Sequence, residues 1–364
     1  MKILAFADLH LDVPFSWARE PVARMRRANR RRTLENIIAL AQAESVDALL
    51  CAGDLFEQDR ITPDTFEFLR GAFARSGLRT FLAPGNHDWL GTESPYLQGE
   101  WGDNVTLFRR DRLEPVELGQ GVTLWGAAHL VPANTDDFFA NFHVDRGGVN
   151  LVVAHASERS MLPIQGPTKQ PHAPFDAPEL ASAGVDFAML GHYHFPSEGP
   201  RFAYAGNPDP LDFGESGLRG ALLLTVEGDG RVTYARRKVG VSQVYDVVVQ
   251  LNGERSRDEI ADRISDQVSR LTGCVRVTLQ GEIAPSVALD LRELAQAAPQ
   301  LDALVVRTVN LNIGYPVEEI AKEATVRGQF VRDAIAQLSD PEMQRRVVLT
   351  GLRAFEGRHD LEVP

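Results

Sequence analysis

The 364-residue sequence is poor in cysteine, with only Cys51 and Cys274. Each lies in or at the start of an apolar strand-like run, so neither a disulfide framework nor a thiolate metal site is expected, and both read as buried bystanders. No apolar run approaches the roughly twenty residues a membrane helix needs, and no arginine-rich leader with a cleavage site stands at the start. The expectation is a cytoplasmic protein with no membrane partner. Positive charge is also short: 38 Lys and Arg against 50 Asp and Glu leave a net charge of -12. That excludes a protein that coats nucleic acid by bulk electrostatics, so any DNA contact must be local. Absence of G-x-S-x-G and of a G-x-x-x-x-G-K-[ST] loop excludes a serine-esterase nucleophile and ATP hydrolysis by this chain itself. No internal repeat or low-complexity tract is present.

What is present is enough apolar sequence, 44%, for one catalytic core and a smaller second domain, since single cores rarely exceed roughly 250 residues. Short apolar runs recur at residues 3–7, 48–52, 80–83, 151–154 and 187–190, and each ends in polar residues, as buried strands do. Residues 122–125, 201–205 and 221–226 read as further strands. Helical spacing appears at 33–43, through Leu34, Ile37, Ile38 and Ala41, and again at 63–73. The alternation predicts an α/β layered domain over 1–240. A second, compact α/β unit follows at 241–315, with strands at 244–251, 275–279 and 304–311 and helices at 257–271 and 287–297. Residues 316–364 read as a C-terminal helical segment with helices at 317–338 and 341–355.

Chemistry gathers at the carboxyl ends of the strand-like runs, where α/β sheets place their ligand sites. Five polar clusters occur in series: Asp8-Leu9-His10, Gly53-Asp54, Gly85-Asn86-His87-Asp88, His155, and Gly191-His192-Tyr193-His194. Strand alternation would let residues two apart converge, which accounts for Asp8 with His10 and His192 with His194. Gly85 is expected to provide backbone freedom. Carboxylate, imidazole and amide donors without sulfur suit Mn, Fe or Zn over Ca or a structural zinc. Two dications about 3.7 Å apart repel by on the order of 15 to 20 kcal/mol even at an effective dielectric near 20, so a bridging anion is needed, and Asp54 is the natural candidate.

In this order the five clusters are the signature of calcineurin-like metallophosphoesterases, which residues 1 to about 235 resemble. The resemblance implies a layered β-sandwich flanked by helices. It implies one metal held by Asp8, His10, Asp54 and His194, and a second by Asp54, Asn86, His155 and His192. Both are divalent, with Mn2+ the expected metal. It makes His87 the catalytic histidine, Asp88 its orienting partner, and a metal-bridging hydroxide the nucleophile. An imidazole titrating near neutrality suits such proton transfer. The runs Ala7-Asp8-Leu9-His10-Leu11-Asp12, Gly53-Asp54-Leu55-Phe56, Gly206-Asn207-Pro208 and Phe213-Gly214-Glu215 are similar to SbcD/Mre11-type DNA repair nucleases. Ala7 departs from the serine or threonine, and Asn207 from the serine, often found there. That narrower resemblance implies DNA as substrate, a second domain that caps the active site, and a SbcC/Rad50-like ATPase partner docking on residues 317–355. A homodimer is left open.

Arginines cluster just after the first motif, at Arg24, Arg26, Arg27, Arg30, Arg31 and Arg32. Arg26, Arg27, Arg30 and Arg31 are the candidates for contacting DNA phosphates, against the alternative of a solvated helix face. His129, His143, His172 and His359 lie outside the motifs and read as packing or surface residues, with His129 the one nearest to a role. Two other functions compete with a DNA nuclease. One is a nucleotide or cyclic-nucleotide phosphodiesterase or phosphatase using the same metals. The other is a catalytically silent scaffold, which retention of every ligand position opposes.

Overall fold

Strand formation follows the apolar runs. A computed structural model describes residues 1–133, 135–165 and 171–357. His359 therefore lies outside the described residues. The chain divides into two units, Met1–Ser242 and a second beginning at Gln243.

In the first unit, β1 (Lys2–Phe6), β2 (Ala48–Cys51), β3 (Thr80–Leu82) and β4 (Val105–Leu107) run parallel. β11 (Ala221–Val226) and β12 (Val232–Arg237) extend the same sheet in antiparallel fashion, giving the order β12-β11-β1-β2-β3-β4. A second six-stranded sheet has the order β5-β6-β7-β8-β10-β9, built from β5 (Glu114–Gly119), β6 (Val122–Gly126), β7 (Val149–His155), β8 (Phe187–Gly191), β9 (Ser197–Gly199) and β10 (Phe202–Tyr204). Each residue of β2, β3, β7 and β8 is buried, as strands covered on both faces require.

The two sheets share one core, in which Ile3, Leu50 and Phe81 of one meet Leu124, Val153 and Met189 of the other. Outside the first sheet lie α1 (Glu20–Ala43) and α2 (Pro63–Ser76), burying Leu34, Ile37, Leu69 and Phe73. Outside the second lie α4 (Ala177–Ser182) and its flanking loops, burying Phe175 and Leu180; α3 (Leu162–Gln165) is a single turn. This is an α/β sandwich flanked by helices. α2 has clear local causes: Pro63 opens it, the Thr62 side chain accepts from Thr65 N, and Gly77 closes it at φ 66°.

α1 starts thirteen residues before the expected helix because its inward face continues upstream mostly through polar residues: Arg26, Arg30 and Thr33, with Ala23 before them, are buried in line with Leu34, Ile37 and Ala41.

The second unit is a parallel sheet ordered β13-β14-β15, made of β13 (Val244–Glu254), β14 (Cys274–Ile283) and β15 (Ala303–Ile313). α5 (Arg257–Val268) packs Ile260, Ile264 and Val268 on it. The helix expected at 287–297 shrinks to α6 (Leu291–Leu294), because the Asp290 side chain caps it at Arg292 N and Glu293 N. The helix expected at 317–338 is two, α7 (Val317–Ile320) and α8 (Val326–Gln337), the second restarted by Thr325 capping Gly328 N. α8 packs on α9 (Pro341–Phe355) through Val331, Val348 and Leu352. Among the described residues no helix is long and apolar enough to cross a membrane.

Candidate metal centre

Because β1, β2 and β3 run parallel in one sheet and β7 and β8 in the other, their carboxyl ends bring all five polar clusters to one place. Asp8 and His10 follow β1, Asp54 follows β2, Asn86 and His87 follow β3, His155 ends β7, and His192 and His194 follow β8. Strand alternation is not what aims the paired residues. Asp8, His10, Asp54 and His192 lie beyond the strand ends at φ values of 55°, 47°, 52° and 100°. These are left-handed conformations that L-residues rarely adopt and that cluster at functional sites. Main-chain bonds hold the turns: Asp8 N donates to Gly53 O at 3.0 Å and His10 N to Asp54 O at 2.9 Å. Gly85 is needed for close approach, not for a positive φ, since a Cβ there would run into the Asp54 carboxylate.

The donors converge in three overlapping groups: Asp8, His10 and His194; His10, Asp54 and His87; and Asp8, Asp54 and His155. Asn86 Oδ1 lies 3.0 Å from His155 Nε2 and 3.2 Å from His192 Nδ1. Asp54 Oδ2 lies 3.2 Å from His155 Nε2 and 3.7 Å from His10 Nε2. His10 Nε2 and His194 Nε2 face each other at 3.2 Å. Ligands held about 2.1 Å from a cation are about 3.0 to 3.4 Å apart in octahedral or tetrahedral arrangement, so this spacing fits the donor set to divalent metals. The imidazole tautomers agree. His155 Nδ1 meets Ala52 O at 2.8 Å, His10 Nδ1 meets Glu57 Oε1 at 2.7 Å, and His194 Nδ1 meets Glu215 Oε1 at 2.8 Å. Each Nδ1–H donates outward and leaves Nε2 for a metal.

Glu57 and Glu215 were missed in the sequence, although Glu57 directly continues the Gly53-Asp54-Leu55-Phe56 run and Glu215 ends Phe213-Gly214-Glu215. Glu57 touches two imidazoles, since its Oε2 also lies 2.9 Å from His87 Nδ1. Burial works against charge on Glu57, but hydrogen bonds from His10 and His87 bring its carboxyl down to about 2. Burial likewise opposes a charged His87, yet the Glu57 bond and the Asp54 and Glu57 charges push the imidazole up to about 9. Burial is outweighed again at His155, which the Asp54 charge raises to about 9, and at Asp54, which His155 holds well below the usual carboxylate range. Glu215 is held below its ordinary value by His194 despite burial. His87 is the exposed member of the cluster, at 45%, while Asp8, His10, Asp54 and His155 are buried.

The expectation that Asp88 orients His87 is corrected. Its buried carboxylate accepts from Asp54 N, Leu55 N, Gly85 N and Tyr96 Oη at 3.0, 2.8, 2.6 and 2.7 Å, clamping the β2 and β3 loops together. Glu57 is the carboxylate that touches the His87 ring.

The arginine expectation is corrected too. Arg26 and Arg30 are each 1% exposed, stack over Phe15 and donate to Pro210 O, so they present nothing to DNA phosphates. They anchor the loop that carries Glu215. Arg27 and Arg31 are half-buried and paired with Glu20 and Asp64. Of the remaining histidines, His143 is exposed. His129 is buried, donates from Nε2 to His155 O at 2.6 Å and accepts from Thr135 Oγ1; burial lowers it to about 3, so it is neutral packing behind His155. His172, 8% exposed, packs its ring 5.0 Å from that of His192.

Layered sheets with this donor set at their carboxyl ends define a metal-dependent phosphoesterase. The chain belongs to the calcineurin-like phosphoesterase family, whose profile matches residues 1–196. Among curated proteins it is similar to an uncharacterized metallophosphoesterase, YhaO, of Bacillus subtilis, at 26% identity over 76% of this chain and 70% of that one. It is also similar to the DNA double-strand break repair proteins Mre11 of Methanopyrus kandleri, at 26% identity, and Aeropyrum pernix, at 27%. Those matches cover 64% of this chain, and the chain spans 56% and 59% of the two Mre11 proteins. Among solved structures, protein TT1561 of Thermus thermophilus aligns with a TM-score of 0.37 and 11% identity, over 65% of this chain and 98% of that one.

Proposed function

We propose that the chain is a DNA nuclease of the SbcD/Mre11 type, using two divalent ions, with manganese the expected metal. Asp8, His10, Asp54 and His194 would hold one ion, and Asp54, Asn86, His155 and His192 the other. The observation that carries the reading is His87, exposed at the edge of a buried, convergent donor set and tied through Nδ1 to an ionised Glu57. Two such cations supply positive charge for phosphoryl oxygens and acidify an attacking water. The chain's own residues do the rest. Glu57 fixes His87 with Nε2 toward substrate, where the protonated ring donates to the leaving oxygen. Glu57 and Glu215 keep the Nε2 atoms of His10 and His194 free of protons.

DNA as substrate is supported by the similarity to two Mre11 proteins. By the resemblance of the sequence motifs to SbcD/Mre11-type nucleases, the unit from Gln243 would cap the active site, and residues 317–355 would dock an ATPase. A smaller substrate, a nucleotide or cyclic-nucleotide phosphodiester, is favoured by two observations: the net charge of -12 and the burial of Arg26 and Arg30. The deciding experiment is hydrolysis of a labelled linear DNA duplex with added Mn2+, beside bis-p-nitrophenyl phosphate. Degradation of the DNA, abolished in His87→Ala, is expected. Cleavage of the small ester alone would favour the nucleotide reading, and cleavage of neither would leave the enzyme reading without support.

A further inference from the structure

A cavity of about 790 Å³ opens beside the His87 loop, within the size range of small-ligand sites. Its lining includes Phe66 and Trp89, with Gln58 and Arg70 beside them. It shares both of its nearer segments with the catalytic side of the metal centre. Trp89 lies two residues after His87, and Gln58 follows Glu57 and donates from its main-chain N to His87 O at 2.9 Å. The Asp88 clamp between His87 and Trp89 fixes the spacing of the two side chains.

The indole is held in one pose. In the orientation that satisfies both ends of its amide, Gln58 accepts from Trp89 Nε1 at 3.1 Å and donates to Trp89 O at 2.6 Å. A Cβ on Gly91 would meet the same ring edge at 3.2 and 3.3 Å. With its only N–H used and one edge packed, what the half-buried, cavity-lining indole can offer a ligand is a π-face. Charge narrows the ligand further. Asp59, Glu67 and Glu93 line the cavity against one cation, Arg70, which is itself engaged by Glu67 at 2.8 Å and by Glu100 O. Three acids and one paired base repel a phosphate. They suit a neutral planar group with N–H donors for the carboxylates.

We propose that this cavity is a nucleobase subsite, in which the base of a nucleotide flanking the scissile phosphodiester stacks on Trp89. The inference rests on the reading of the substrate as nucleic acid or nucleotide, and a binding measurement without metal separates the two. Deoxyadenosine, which carries no phosphate, is titrated into the metal-free full chain by calorimetry, then into Trp89→Leu and Trp89→Phe. Saturable binding is expected in the wild type, weakened about tenfold in Trp89→Leu and largely restored in Trp89→Phe, from the contribution typical of a base on an aromatic ring. No saturable binding, or equal binding by Trp89→Leu, would overturn the subsite even if DNA is cleaved. Should the variants fail to fold, the wild type with Mn2+ still decides: an oligonucleotide is expected to be cleaved with kcat/KM about tenfold above a fully abasic strand of equal length. Equal values refute the subsite. Failure to cleave any nucleotide ester while deoxyadenosine still binds through Trp89 refutes the substrate reading and leaves the base site standing.

Discussion

Replacing Glu57 tests the centre most directly, because one carboxylate touches both His10, a proposed metal ligand, and His87, the proposed catalytic histidine. Glu57 is ionised down to about pH 2 and can only accept, so both His10 and His87 must carry their proton on Nδ1. In Glu57→Gln one oxygen becomes an NH2 group, which can satisfy one imidazole but faces the other with a donor. His10 is buried and its contact is the shorter, 2.7 against 2.9 Å, so the amide oxygen should stay with it. His87 then loses a charge-assisted bond worth about 1.5 to 3 kcal/mol, which corresponds to a drop of roughly 10- to 150-fold in turnover. Mn2+ affinity should change less than about tenfold. Glu57→Ala frees both rings. A His10 that protonates Nε2 is lost as a ligand, so affinity should fall about 10- to 100-fold as well. Calorimetric Mn2+ titration gives the affinity, and turnover of bis-p-nitrophenyl phosphate at saturating metal gives the rate. Wild-type values for both in Glu57→Ala would refute the role assigned here.

His87→Ala should retain Mn2+ binding by calorimetry and lose about 10²- to 10⁴-fold in turnover, the usual worth of a positioned acid. Metal binding should release protons. His155 is raised to about 9 in the metal-free chain. Its protonated form stabilises that chain fully below about pH 6.5, and the contribution is lost as pH rises through about 9. The increase in Tm on adding Mn2+ should therefore grow between about pH 6.5 and 9; a constant increment would show that the His155 proton is not what the metal displaces. Arg26→Ala takes the paired cation from the buried Asp209 carboxylate and one of two arginine donors from Pro210 O, and chemical denaturation should report a loss of about 3 kcal/mol. Unchanged stability with weaker DNA binding would restore the surface role rejected above.

Residues that both carry chemistry and end an apolar run were legible in the sequence, because strand ends and donor types announce themselves locally. The seven expected metal donors and His87 all come to one place for that reason. Four things were not legible. Glu57 and Glu215 look like ordinary surface acids until the fold brings His10 and His194 to them. The inward face of α1 was concealed because arginine occupies positions 26 and 30, where the helical period calls for apolar side chains. The direction of Asp88 depends on three main-chain N–H groups from two loops, which no linear pattern reveals. The break between α7 and α8 depends on a single cap, Thr325.

The same facts explain what holds so strained a set of donors in place. Four donors sit in left-handed backbone, each costing on the order of 1 to 2 kcal/mol. Their side chains add the repulsion of nitrogen lone pairs set 3.2 Å apart. Within the donor set His192 N donates to Asp8 Oδ1 at 3.1 Å and the Asp54 carboxylate lies 3.2 Å from His155 Nε2, which offsets part of those costs. Further compensation comes from outside it: Asp88 accepting from two loops at once, Glu57 and Glu215 turning the imidazoles, and Arg26 and Arg30 anchoring the loop that presents Glu215. A carboxylate occupied by four protein donors, and two arginines buried from solvent, thus bear on the geometry of the centre as directly as the donors themselves.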